Sequence, residues 1–231
     1  MAPLTVVFDL DGTLVDSAPD LVAALNHVLT GEGLPPVVYA EGRTMVGGGA
    51  RMMVERGLKA KGRVLPAAEV DRMVKDFIAH YAAHIADGSR PFAGVEAALD
   101  QLAGGGCRLA VCTNKLEWLS LRLLDALGLT ARFAAVCGAD TFGASKPDPR
   151  ILQGTLRRAG GDPTRAVMVG DSMTDIATAR AASVPVVAVD FGYTEFPIAQ
   201  LKPDRVIASF GQLPEAVLSL APFTGGIAED A

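Results

Sequence analysis

The stretch LTVVFDLDGTLVDS, residues 4–17, decides how the rest of the chain is read. Its first half is a short β-branched run, apolar on both faces until Asp9, which is the pattern of a strand buried inside a sheet. Three later runs look the same: Arg108–Cys112 (RLAVC), Ala166–Val169 (AVMV) and Pro185–Val189 (PVVAV). Helical spacing of apolar residues fills Val95–Ala103, Glu117–Leu127, Arg150–Ala159 and Asp175–Ala182. This alternation of strand and helix predicts an α/β fold: a parallel sheet covered by helices on both faces.

Residues 17–87 break the alternation. They hold no comparable β-branched run. Leu21, Val22, Leu25, Val28 and Leu29 recur at helical spacing, and so do Val70, Met73, Val74, Phe77, Ile78 and Tyr81. An all-helical block after the first strand reads as an insertion, with Pro91-Phe92-Ala93-Gly94 marking the return. The expected division is residues 1–16 with 88–231 as the sheet domain and 17–87 as a small helical domain. The tail, Ala221–Ala231, is expected to fray.

Composition narrows the function. The 231 residues are half hydrophobic and a fifth charged, which is globular and excludes wholesale disorder. Lys+Arg total 21 against Asp+Glu 26, a net charge of −5, which disfavours a nucleic-acid binder. No uncharged apolar stretch reaches the roughly 18 residues that span a bilayer, so no membrane role is expected. The first apolar run contains Asp9 and Asp11 and is not a secretory signal. Three cysteines, Cys107, Cys112 and Cys137, without a CxxC, suit small buried hydrophobes in a reducing cytoplasm.

Ligands of α/β sheets bind at the carboxyl ends of the strands. There the sequence places Asp9-Leu10-Asp11-Gly12-Thr13, then Thr113-Asn114-Lys115, then Ser145-Lys146-Pro147, then Gly170-Asp171-Ser172-Met173-Thr174-Asp175. Each segment is expected to follow a strand. Four acids at one edge cannot all stay ionised unaided. Lys146 offsets one charge and a divalent cation would offset two. Oxygen donors without His or Cys suit Mg²⁺, which shares its shell with substrate phosphate oxygens. Asp9 and Asp11, two apart on extended chain, can face one site, one to attack phosphorus and the other to transfer protons. The spacing is wrong for a calcium loop, since Gly12 falls at the fourth position rather than the sixth. Gly138–Lys146 lacks the Gly-Lys-Ser/Thr ending of a nucleotide-binding loop.

DLDGTLVDS (9–17), CTN (112–114), SKP (145–147) and VGDSMTD (169–175) resemble the four motifs of the haloacid-dehalogenase-like hydrolases. The resemblance covers nearly the whole chain. It implies a Rossmann-like doubly wound parallel sheet with an inserted small α-helical cap domain. It implies an aspartyl-phosphate on Asp9, Asp11 as general acid and then base, and Lys146 holding Asp9 and the phosphoryl charge. Thr113 and the Asn114 backbone N–H would bind the phosphoryl oxygens. Asp171, the Asp9 carboxylate and the Asp11 carbonyl would ligate Mg²⁺, and Asp175 would orient the metal's waters or Lys146. Asp11 sets the chain apart from the family's metal-free dehalogenases, which lack that second acid.

Within the family, Val46–Met53 resembles a Gly-x-Gly-Ala stretch in the cap of phosphoglycolate phosphatases. Gly48 and Gly49 are expected to offer backbone N–H groups to an anion, and Arg51 to pair with a substrate carboxylate. The expected activity is hydrolysis of a small phosphorylated metabolite, 2-phosphoglycolate above others, by a monomer or homodimer. Sugar-phosphate phosphatase, phosphomutase and pyrophosphatase activities fit the same scaffold. A receiver-type phospho-switch shares the Asp, Thr and Lys, but it would be about half as long and lack the insertion.

Overall fold

Strand β1, Thr5–Phe8, lies inside the sheet of the computed structural model, which describes residues 2–194 and 196–221. Of the tail, only Ala221 falls among the described residues. All six strands of the sheet are parallel. In chain order they are β1, then β4 (Arg108–Cys112), β5 (Ala135–Cys137), β6 (Ala166–Gly170), β7 (Val186–Val189) and β8 (Arg205–Ile207). The spatial order is β5-β4-β1-β6-β7-β8. Two further strands, β2 (Val15–Asp16) and β3 (Arg90–Pro91), form a separate antiparallel pair, with Val15 opposite Pro91.

The order puts a topological switch beside β1. The chain winds outward through β4 and β5 on one side, then crosses to β6, β7 and β8 on the other. A crevice opens at the carboxyl ends of strands where the winding reverses. Phe8, the last residue of β1, stands opposite Val111 of β4 and Val169 of β6, so the three strands end within one residue of a common level.

Alternation along the strands fills both faces. Val6 and Phe8 pack with Val111, Val169 and Val189 against helices α5 (Val95–Gly104), α6 (Glu117–Ala126) and α9 (Leu213–Leu220). Val7, Ala110 and Met168 turn the other way, toward α7 (Pro149–Arg158) and α8 (Met173–Ala181). Phe8, Leu99 and Leu123 are essentially fully buried, and each such side chain contributes about 1.5–3 kcal/mol. All three cysteines are free; Cys112 and Cys137 are buried as expected, while Cys107, just before β4, is only partly buried.

Between β2 and β3 come four helices, α1 (Ala18–Gly31), α2 (Tyr39–Thr44), α3 (Ala50–Ala60) and α4 (Ala67–Ala83). Leu21, Leu25, Met53, Leu58, Met73, Phe77 and Tyr81 form a core of their own, which Leu119 and Tyr193 join from the sheet side. No helix among the described residues is long and apolar enough to cross a membrane.

Candidate active site

Asp9 directly follows β1, and its N–H still donates to the Val169 carbonyl of β6 at 2.9 Å, so its position is fixed by the ladder. Asp9 is buried, with its side chain 11% exposed. Its Oδ1 accepts from the Leu10 N–H at 2.7 Å and pairs with Lys146 Nζ at 2.7 Å. Its Oδ2 meets no protein donor among the described residues.

Lys146 is shared. Its ammonium also reaches Asp175 Oδ1 at 2.6 Å. Asp175 Oδ2 accepts from Ser172 Oγ at 2.6 Å and from the Ser172 N–H at 3.0 Å, while Ser172 Oγ accepts from the Asp175 N–H. This capping box starts α8, so one carboxylate both caps a helix and anchors the lysine. The Asn114 side chain clamps the Lys146 backbone from the other side: Nδ2 donates to the Lys146 carbonyl at 3.1 Å, and Oδ1 accepts from its N–H at 2.8 Å. Lys146 does not follow a strand directly, as the sequence reading expected. It lies in the loop between β5, which ends at Cys137, and α7, and the Asn114 clamp brings it back to the site.

Asp171 follows β6. Its Oδ1 accepts from Thr13 Oγ1 at 3.0 Å and its Oδ2 from the Tyr193 N–H at 2.8 Å. Gly12 lies against it at φ 83°, and a Cβ there would overlap Asp171 Oδ2 and come within 2.8 Å of the Tyr193 ring. Only glycine permits both that left-handed backbone and that approach. Thr113 follows β4, is buried, and accepts from the Lys115 N–H at 3.2 Å.

Asp9, Asp171 and Asp175 each offer an oxygen, all within 4.8 Å of one another. Three carboxylates against the one ammonium of Lys146 leave two negative charges in excess. Burial, then Asp175, pushes Asp9 up to about 8, against the pull of Lys146. Burial and Asp175 likewise push Asp171 up to about 7, against the Tyr193 N–H and the Thr13 hydroxyl. Buried, mutually repelling carboxylates that need two more positive charges and offer only oxygen donors fit a hard divalent cation.

Asp11 faces a different set of groups. Ser17 Oγ donates to its Oδ1 at 2.5 Å, and Lys115 Nζ pairs with its Oδ2 at 2.9 Å. Lys115 is buried under the ring of Tyr81 from α4, 4.4 Å from the ring centroid. Burial pulls its pKa down, but Asp11 outweighs that and holds it above the ordinary lysine value.

The residues expected from the helical block divide. Gly49, at φ 90°, starts α3 and lies against the site: a Cβ there would stand 3.2 Å from the Asn114 carbonyl oxygen. Gly48 packs on Met52 instead. Arg51 is not brought to the carboxylates. Its side chain is half exposed and pairs with Glu55, one helical turn on, at 3.4 Å and with Asp71 of α4. Its place on α3 turns the guanidinium toward those acids. The block reaches the site through other residues. Arg43 of α2 donates to the carbonyls of Phe191 and Gly192 at 3.0 and 2.9 Å and lies over the Tyr193 ring.

The sequence reading assigned no role to Ser17, Thr13, Ser172, Tyr193, Lys115 or Tyr81, although most of them lie within the motifs it quoted. The available signal was Lys115 itself, a lysine at a strand end followed by an apolar helix.

A family profile for haloacid dehalogenase-like hydrolases matches residues 6–189. A phosphoglycolate phosphatase of Mesorhizobium japonicum is 53% identical over 208 residues, 90% of this chain and 92% of that protein. One from Caulobacter vibrioides is 51% identical over 226 residues, 96% and 95% of the two chains. Among solved structures, a predicted phosphoglycolate phosphatase from Haemophilus somnus superposes with a TM-score of 0.85 at 31% identity, covering 92% of this chain and 97% of that one. The chain belongs to the haloacid dehalogenase-like hydrolases, and its fold is their Rossmann-like α/β fold.

Proposed function

We propose that this enzyme is a Mg²⁺-dependent phosphatase that hydrolyses 2-phosphoglycolate to glycolate and phosphate. The observation that carries the chemistry is Asp9 held by Lys146 at 2.7 Å, among the carboxylates of Asp171 and Asp175, at the switch point of the sheet. The similarity to proteins named phosphoglycolate phosphatase supports the choice of ester.

In this reading Asp9 is the nucleophile, and its Oδ2 attacks phosphorus. The bond from phosphorus to the glycolate oxygen breaks, and Asp11 gives that oxygen its proton. Water then attacks the phosphorus of the aspartyl-phosphate, Asp11 takes a proton from it, and the bond to Asp9 breaks to restore the carboxylate. Lys146 holds Asp9 in line throughout, and Thr113 Oγ1 with the Asn114 backbone N–H takes the phosphoryl oxygens. Asp9, Asp171 and the Asp11 carbonyl would hold Mg²⁺, which when bound neutralises the charge around the phosphoryl group. Asp175 fixes Lys146. The helical block, residues 17–87, is the cap that covers the site, with Gly49 at its contact with Asn114. Residues 1–16 and 88–231 are the catalytic core. The three free thiols suit a cytoplasmic enzyme acting on a small metabolite.

The test is phosphate release from 2-phosphoglycolate, sugar phosphates, pyrophosphate and phosphoserine, with Mg²⁺ and with EDTA, and with Asp9→Asn as the blank. The expected result is a kcat/KM for 2-phosphoglycolate at least about tenfold above the rest and abolished by EDTA. A higher value for a hexose phosphate or for pyrophosphate would overturn the choice of substrate.

A further inference from the structure

A carboxylated substrate needs a cation beside the reacting phosphate, and the structure narrows which one. Arg51 is occupied by Glu55 and Asp71. Arg43 is held by two backbone carbonyls and the Tyr193 ring, and Arg56 by the carbonyls of Met45 and Gly47. Lys146 is divided between Asp9 and Asp175. Lys115 differs from the arginines, because its carboxylate partner, Asp11, is itself a reacting group, and from Lys146, because Asp11 is its one carboxylate partner among the described residues.

A second observation points to the same spot. The Tyr81 hydroxyl is buried; the Lys115 ammonium lies near its oxygen, but among the described residues its O–H has no acceptor. Native proteins rarely leave such a group unpaired. The charged groups that face it are Lys115, Asp11 and Asp20. Asp20 is already committed to the N–H groups of Gly88 and Ser89 and to the Ser89 hydroxyl. An ammonium with an exchangeable partner and an unpaired phenol O–H therefore meet beside Asp11, one supplied by the core and one by α4.

We propose that Lys115 and the Tyr81 hydroxyl are the seat of the substrate carboxylate, which replaces Asp11 on Lys115 and frees Asp11 for the leaving oxygen. The proposal rests on the reading of the enzyme as a phosphatase for a carboxylated ester. In 2-phosphoglycolate the carboxylate carbon is two bonds from the bridging oxygen. A lysine 2.9 Å from the side chain that serves that oxygen is in reach of it. An ester without a carboxylate leaves Asp11 bound to Lys115 and Ser17, so recognition and proton transfer are coupled through one ion pair.

The experiment compares 2-phosphoglycolate with ethyl phosphate, which carries a methyl group where the carboxylate would be. The readout is the ratio of their kcat/KM values in wild type, Lys115→Met and Tyr81→Phe. The wild type is expected to prefer 2-phosphoglycolate. The ratio should fall at least about tenfold in Lys115→Met and about threefold in Tyr81→Phe. Tyr81→Phe keeps the ring in the core, so it decides alone if Lys115→Met does not fold. A ratio unchanged in these variants, whether both activities survive or both fall together, overturns the proposal. A wild type with no preference between the two esters overturns the reading of the substrate itself.

Discussion

Lys146 and Arg51 are both cations held between two carboxylates, and they could hardly differ more in setting. The Lys146 side chain is 2% exposed, with Asp9 and Asp175 at 2.7 and 2.6 Å. The Arg51 side chain is 50% exposed, against Glu55 and Asp71 that are as open as it is. At the sheet edge, strand ends, a helix cap and the Asn114 clamp place every charge, and burial makes each pairing matter. On α3 and α4 the charges solvate a helix face, where an ion pair contributes little because water and salt screen it. The same chemical types therefore build a buried, fixed charge cluster in one region and a solvated surface in the other.

The contrast can be broken most sharply at Asp9. Asp9→Asn should lower kcat by more than about a thousandfold, since an amide cannot attack phosphorus; steady-state phosphate release measures it. Lys146→Met comes next. Removing one partner of a buried ionic group costs about 3–5 kcal/mol and leaves two carboxylates facing each other. Its activity should drop at least about a hundredfold, with a denaturation midpoint clearly below wild type.

The third effect is a linkage. Asp9 near 8 and Asp171 near 7 lie above their unfolded value of 3.8, so the metal-free fold binds protons that the unfolded chain has lost. Their contribution to stability is fully present below about 3.8 and fades as pH rises through 7 and 8. The metal-free melting temperature should therefore fall between about pH 5 and pH 8, and Mg²⁺ should raise it more at pH 8 than at pH 5. Equal stabilisation at both values would separate the carboxylates from the cation. The smallest effect belongs to Arg51→Ala, which should leave kcat/KM for 2-phosphoglycolate within about threefold of wild type. A larger loss would bring Arg51 back into substrate recognition.

The same contrast explains what the sequence made legible. Strands β1, β4, β6 and β7 are buried β-branched runs and read directly. Strands β5 and β8 are three residues each and β2 and β3 two, too short for any periodicity to register. Asp9, Asp11, Thr113 and Asp171 were legible because a strand end dictates where the next residues go. Lys146 was legible only as chemistry, since its position depends on a clamp from Asn114, 32 residues away in sequence. Thr13 and Tyr193 reach Asp171 across 158 and 22 residues, and no local pattern encodes such contacts. For Arg51 the sequence says which helix it rides on, while Glu55 and Asp71 decide where its guanidinium goes.

In the proposed reaction Asp9 carries the phosphoryl group. The most direct measurement is a single turnover with 2-phosphoglycolate and Mg²⁺, quenched in acid within milliseconds, followed by peptide mass mapping. The expected result is a phosphoryl group on Asp9 that disappears as free phosphate forms. Full turnover with Asp9 never modified, or with the phosphoryl group on another residue, would contradict it.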